Sequence, residues 1–266
     1  MTASATDRVN GHAADLAALA WQVELGADEA IGEAPVDRFE AAPPAAAPAP
    51  PAVAPQAAPI PPPVPAATGP GPAELAAGCA DLAALRAAID GFEGSALKLG
   101  ARSLVFADGD PRARVMVIGE APGREEDRAG LPFVGRSGQL LDRMLAAIGL
   151  SRKAEDPAKG VYITNVLPWR PPQNRDPSSD EAVKLLPFLF RHIELAAPEV
   201  LLLLGSPAVR AVLATSDGVT RARGRWLDWR GVPAIATFHP AALLRDGAHK
   251  RDAWADLLML KARLDG

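Results

Sequence analysis

The chain has 266 residues, room for one sizeable domain with additions or for two small ones, and its apolar fraction of 48% is ordinary for a globular protein. No proline-free run of eighteen apolar residues occurs, so no membrane span is expected, and the opening MTASATDRVNGH lacks the apolar core of an export signal. The net charge of −4 divides unevenly: residues 1–75 carry −7 and residues 76–266 carry +3, a mildly basic remainder that permits DNA as a partner without diagnosing it. A single cysteine, Cys79, can form no internal disulfide and cannot hold a metal cluster alone, which fits a reducing, cytoplasmic setting.

In chain order, residues 1–40 read as an acidic tail. Within it, His12 to Ile31 shows a partial helical stripe at Leu16, Leu19 and Val23, with Trp21 and Leu25 off the stripe. A short helix on a tether is expected there; it is either a marginal helix or a docking segment for a protein partner. Residues 41–75 read as an Ala/Pro-rich linker, since 41–72 hold no charge and cannot bury a core. From residue 76 onward the pattern is that of a folded domain. A helical stretch at 80–90 precedes four short apolar runs, Val115–Ile118, Val161–Thr164, Val200–Leu204 and Ala234–Phe238. None alternates strictly, as expected for strands covered on both faces. Helical patterns separate the runs: SGQLLDRMLAAIGL at 137–150, a helix opened by a capping box of Ser178 and Glu181, one after Pro207, and a last from about Ala248 to Leu264. Alternating strands and helices predict an α/β fold with a mostly parallel sheet between helix layers.

Ligands of such sheets bind beyond the carboxyl ends of the strands. There the four runs are followed by Gly119-Glu120-Ala121-Pro122-Gly123, by Asn165 and the loop 168–175 (PWRPPQNR), by Gly205-Ser206-Pro207, and by His239-Pro240. Each alone is a turn or a structural histidine; together they place Glu120, Asn165 and His239 at one rim. A second Ile-Gly-Glu-Ala-Pro at 31–35 follows no strand and is read as coincidence. Phosphate-binding, dinucleotide-binding and nucleophile-elbow signatures are missing, and the four histidines form no metal-ligand spacing.

The segments GEAPGREEDRAGLPFVGRSGQLLDRML, YITNVLPWRPPQNRDP and TFHPAALLR resemble the family 4 uracil-DNA glycosylases, in order and at family spacing over roughly residues 90–263. The resemblance implies a three-layer α/β/α domain around a four-stranded sheet, and an enzyme that flips uracil out of single- or double-stranded DNA and hydrolyses its N-glycosidic bond. Carried over by motif, Gly119, Glu120, Ala121, Pro122 and Gly123 form the water-side wall, and Glu126 crowds the place of a thymine methyl. Phe133 stacks on the base from a partly open position, Asn165 reads the base edge, and His239 meets the carbonyl beside the broken bond. Arg170, Asn174, Arg175, Leu243, Leu244 and Arg245 lie toward the DNA.

The chain departs from that pattern in places. The family's four-cysteine iron–sulfur cluster has Phe92, Ser95, Trp169 and Leu185 at its ligand positions, so no cofactor is expected. Trp169 then either anchors its loop by packing or stands exposed as a DNA-stacking residue. The serine that follows His-Pro in the family is Ala241, and 166–177 lack the added histidine of a branch that crosslinks itself to uracil. Two readings follow: an active, monomeric DNA repair glycosylase, or a non-catalytic uracil- or DNA-binding accessory of replication or repair. The intact set Glu120, Phe133, Asn165 and His239 favours the first.

Overall fold

The computed structural model describes residues 70–175 and 177–266; the acidic tail with its expected short helix, and the linker up to residue 69, lie outside the described residues. Helix α1, Pro72–Ala77, starts inside the stretch read as linker. Pro72 sits in the first turn, where a missing N–H costs nothing, and Glu74 reaches back to the Gly71 amide at 3.3 Å. Helix α2, Leu82–Gly91, is capped by Asp81, whose carboxylate accepts from Ala84 N at 2.8 Å; the short α3, Ala96–Gly100, follows.

The chain then alternates as its sequence predicts. Strand β1 is Asp108–Gly109 and β2 is Val115–Gly119; α4, Arg124–Ala129, and α5, Arg136–Ala146, lead to β3, Val161–Asn165. Helix α6, Ser179–Ala196, carries both bonds of the expected capping box, Glu181 N to Ser178 Oγ at 3.2 Å and Ser178 N to Glu181 Oε2 at 2.9 Å. Strand β4, Val200–Leu204, passes directly into α7, Gly205–Leu213, and α8 is Val219–Ala222. Strands β5, Trp226–Trp229, and β6, Val232–Thr237, are followed by α9, Pro240–Arg245, and α10, Lys250–Leu264.

The sheet has six strands, not four, in the order β1-β3-β2-β4-β6-β5. The four central strands are the four apolar runs and are parallel. The additions are antiparallel edges: the two-residue β1, and β5, which pairs with β6 across a hairpin. Arg230 and Gly231 both have positive φ, 50° and 88°, as a two-residue turn that follows the strand twist requires. A turn carried by Arg-Gly in place of Asn-Gly is a weak signal, and β5 has a solvent-facing pattern that single-run reading passes over.

Side chains alternate between the faces of a strand, and here the alternation divides the core in two. Met116, Ile118, Tyr162, Leu201 and Leu203 join a cluster with Leu85, Ile89, Leu185, Phe188 and Val209 of α2, α6 and α7. Val115, Val117, Ile163, Leu202 and Ile235 face Leu141, Leu145, Leu257 and Leu260 of α5 and α10. Helices therefore cover both faces, which is why the central strands are largely apolar. Burial of each such side chain contributes about 1.5–3 kcal/mol.

Candidate active site

Register puts the first two rim groups side by side. In the parallel pairing of β2 with β3, Gly119 is the partner of Asn165, the last residue of each strand. The pairing runs on beyond the strands, with Val166 N donating to Gly119 O at 2.9 Å and Leu167 N to Glu120 O at 3.0 Å. A Cβ on Gly119 would stand 2.5 Å from Asn165 Oδ1 and 2.5 Å from Phe133 Cζ. Any side chain at 119 would thus close the space that Gly119, the amide of Asn165 and the ring of Phe133 enclose. Asn165 is buried, and its Oδ1 has no hydrogen-bond partner. An unmet buried acceptor is costly and rare, and it marks a place where a donor is due.

Phe133 closes that space from the α5 side. Its ring centroid lies 5.4 Å from that of His239, at an interplanar angle of 32°. Phe133 is buried, at 5% exposure, so the expected partly open ring is corrected: it belongs to the apolar cluster that also holds Leu141 and Leu145 of α5. Its backbone is in the left-handed region, φ 54°, which costs a non-glycine residue roughly 1–2 kcal/mol. Neighbours impose it. A Cβ on Gly138 of α5 would meet the Phe133 carbonyl oxygen at once, so only a glycine lets that carbonyl lie against the helix.

Glu126, buried on α4, accepts three backbone bonds: from Gly123 N at 3.1 Å, from Val134 N at 3.0 Å and from Gly135 N at 2.9 Å. One carboxylate therefore joins the Ala121-Pro122-Gly123 turn to the turn that carries Phe133. Asp127 beside it accepts from Arg102 N and Ser103 N, at 2.8 and 3.2 Å.

His239 caps α9. Its Nδ1 accepts from Ala241 N at 3.1 Å, which leaves the ring proton on Nε2. Desolvation first and the charge of Arg245 second push its pKa down to about 4, against an opposing pull from Glu126. At neutral pH the ring is an uncharged hydrogen-bond donor.

The remaining expected residues lie in four different places. Leu244 and Arg245 line an open groove of about 450 Å³ with Arg124, Glu126, Arg136, Ser137 and Ala241. Leu243 does not: it is buried in the core at 3% exposure, because α9 turns one face inward, and it is corrected to a packing residue. Glu120 lines a separate groove of about 510 Å³ with Val166, Leu167, Pro207 and Arg210. In the loop after β3, Arg170 Nε donates to Asn174 Oδ1 at 2.7 Å, and Arg175 makes a forked pair with Glu181 at 2.6 and 2.8 Å. Sequence reading missed Arg124, Arg136 and Ser137; their place just after the two glycine-ended turns was the available signal.

The positions that match iron–sulfur ligands hold no thiolate. Trp169 and Leu185 are buried at 2% and 1% exposure in the same apolar cluster, Phe92 packs edge-on against Phe188 at 5.3 Å, and Ser95 is buried with an unpaired hydroxyl. Cys79 Sγ is engaged with Leu75 O at 3.1 Å. These residues do not fit a cluster, and Trp169 is a packing anchor, not an exposed stacking residue. Among the described residues no group of three or more His, Cys, Asp or Glu could hold a metal ion, and no helix is long and apolar enough to cross a membrane.

Residues 106–258 match the family described as the uracil DNA glycosylase superfamily. A type-4 uracil-DNA glycosylase of Thermotoga maritima is 39% identical over 156 residues, 58% of this chain and 78% of that protein. One from Archaeoglobus fulgidus is 44% identical over 144 residues, 51% of this chain and 69% of the relative. A type-5 uracil-DNA glycosylase of Pyrobaculum aerophilum is 35% identical over 146 residues, 51% and 64% respectively.

Proposed function

The chain belongs to the uracil DNA glycosylase superfamily, and from that premise we infer that it is a DNA repair glycosylase that hydrolyses the N-glycosidic bond of flipped-out uracil and leaves an abasic site. The observation that carries the reading is the unmet Oδ1 of Asn165, buried between Gly119 and Phe133. Uracil brings the donor it lacks, N3–H, and an acceptor, O4, for the amide nitrogen. Cytosine brings an unprotonated N3 and an amino group, and leaves both amide atoms opposed or unpaired. A site built on such bonds discriminates steeply against a base that cannot make them.

Phe133 stacks on the bound base. His239, neutral with its proton on Nε2, donates to the carbonyl beside the breaking bond, where negative charge gathers as uracil leaves. A donor fixed in place before the reaction stabilises that charge most in the transition state. Glu120 and the Ala121–Gly123 turn form the wall from which water attacks the sugar. Glu126 crowds the place of a thymine methyl, with its oxygens fixed by three amides. The DNA backbone runs over the groove of Arg124, Arg136, Leu244 and Arg245 and past Arg170, Asn174 and Arg175. Flipping costs a few kcal/mol, least for single strands and for uracil opposite guanine, so those substrates are preferred. The enzyme works as a cytoplasmic monomer without a cofactor.

The test is release of free uracil, with alkali-labile abasic sites, from single strands and from U·G and U·A duplexes. A folded protein that binds these DNAs and releases no uracil from any of them would overturn the reading in favour of a non-catalytic accessory.

A further inference from the structure

Between α5 and β3 lies a charged residue that the site described above does not use. The Arg152 side chain is 6% exposed, and its guanidinium spends its donors in four directions. Nε donates to Asp142 Oδ1 at 2.8 Å, and Nη1 to Asp108 Oδ2 at 3.0 Å and to Pro132 O at 2.9 Å. Nη2 donates to Phe133 O at 3.0 Å. The two carboxylates balance the buried charge. The two carbonyls are those of Phe133 and of the residue before it.

Phe133 is the one residue of the base pocket with a strained backbone, φ 54°. On its far side Glu126 holds the amides of Val134 and Gly135. The turn is gripped from both ends, its carbonyls by a cation and its amides by an anion. We propose that Arg152 is a positioning residue, which holds the left-handed turn at Phe133 so that the ring lies across the base pocket facing Asn165 and His239. A planar fork is needed, because one group must reach two successive carbonyls and two carboxylates at once; an ammonium on a flexible stem cannot.

The inference rests on the glycosylase reading, and the experiment separates the two. Single-turnover uracil release from a single-stranded oligonucleotide is measured for wild type, Arg152→Met, Phe133→Ala and the double variant, with thermal melts of each. Wild type that releases no uracil fails the glycosylase reading and removes the premise. With active wild type, Arg152→Met is expected to lose roughly 10–100-fold in rate, the scale on which small misplacements act. In the Phe133→Ala background the same change should cost less than about threefold, because there is no ring left to position; residues that act as a unit fail to add in this way. Equal losses in both backgrounds, or an unchanged rate for folded Arg152→Met, would overturn the proposal. Should Arg152→Met not fold, Arg152→Lys takes its place in the same cycle, since it keeps a cation against Asp108 and Asp142 and loses the fork. If neither folds, Arg152 serves folding alone and the proposal fails.

Discussion

Asn165 and Trp169 are four residues apart, yet they belong to regions built on opposite terms. Around Asn165, a buried acceptor is left unmet, a phenylalanine is held at φ 54°, and a glycine is required so that the space stays open. Around Trp169, large apolar side chains fill the volume, and Val105 N bonds Pro168 O at 2.9 Å to hold the loop in line. The first region holds an acceptor that a ligand's donor would satisfy; the second is held by apolar packing, with the unpaired Ser95 hydroxyl among its matched positions. Substitutions in the first should therefore show in rates, and substitutions in the second in melting temperature.

The sharpest way to break that contrast is at the polar end of the pocket. His239→Ala should cut uracil release by about 10²–10³, the usual effect of removing one donor aimed at a developing charge, and Asn165→Asp should cut it as well, because a carboxylate has no N–H for O4; circular dichroism should stay near wild type in both. An unfolded His239→Ala protein would move His239 into the packing region. The reverse holds at Trp169, which is 2% exposed. Trp169→Ala should cost about 3–5 kcal/mol of stability with little change in rate per folded molecule. Phe133→Ala, whose ring is buried in one apolar cluster with Leu141 and Leu145 of α5, should lose in rate per folded molecule as well as in stability, which separates it from Trp169→Ala. The same region predicts a colourless protein: stoichiometric iron by elemental analysis would mean that packing does not replace a cluster there.

A third test uses pH. Burial holds His239 down at about 4 and His192, bonded to the Tyr162 hydroxyl at 2.9 Å, at about 3. An unfolded histidine takes up its proton near pH 6.5. Below that pH the unfolded chain binds protons that the folded chain refuses, so the stability present above about 6.5 is lost as pH falls toward 4 and 3. The melting temperature should drop across that window, and less steeply for His239→Ala, which lacks one of the two groups. Equal slopes would show that His239 is not held neutral. Over pH 5–8 the rate should show no titration of His239. The smallest effect is expected from removing residues 1–69, which should leave uracil release intact and slightly raise DNA affinity at low salt, because that segment is acidic. The cut belongs before Pro72, where α1 begins and packs against α6; a soluble truncated protein that releases no uracil would contradict the prediction.

What the amino-acid order determined by itself was local. Four apolar runs became four parallel strands, because a strand buried on both faces must be largely apolar. The capping box at Ser178 opened its helix, because its two bonds span only three residues. Gly119 and Asn165 came side by side, because the parallel strands β2 and β3 end together. Tertiary structure decided what depends on distant partners. The edge strand β1 exists only by pairing with Ile163 and Tyr162. Leu243 and Leu244 are neighbours of one type, and only the packing of α9 sends the first inward and the second out. Phe133 is enclosed, where its motif alone suggested a partly open ring, because Gly138, Glu126 and Arg152 fix its backbone. Arg152 has no motif at all: its partners lie 10, 19, 20 and 44 residues away, and no spacing rule reaches that far. A buried guanidinium is recognisable only when the fold has brought two carboxylates and two carbonyls around it.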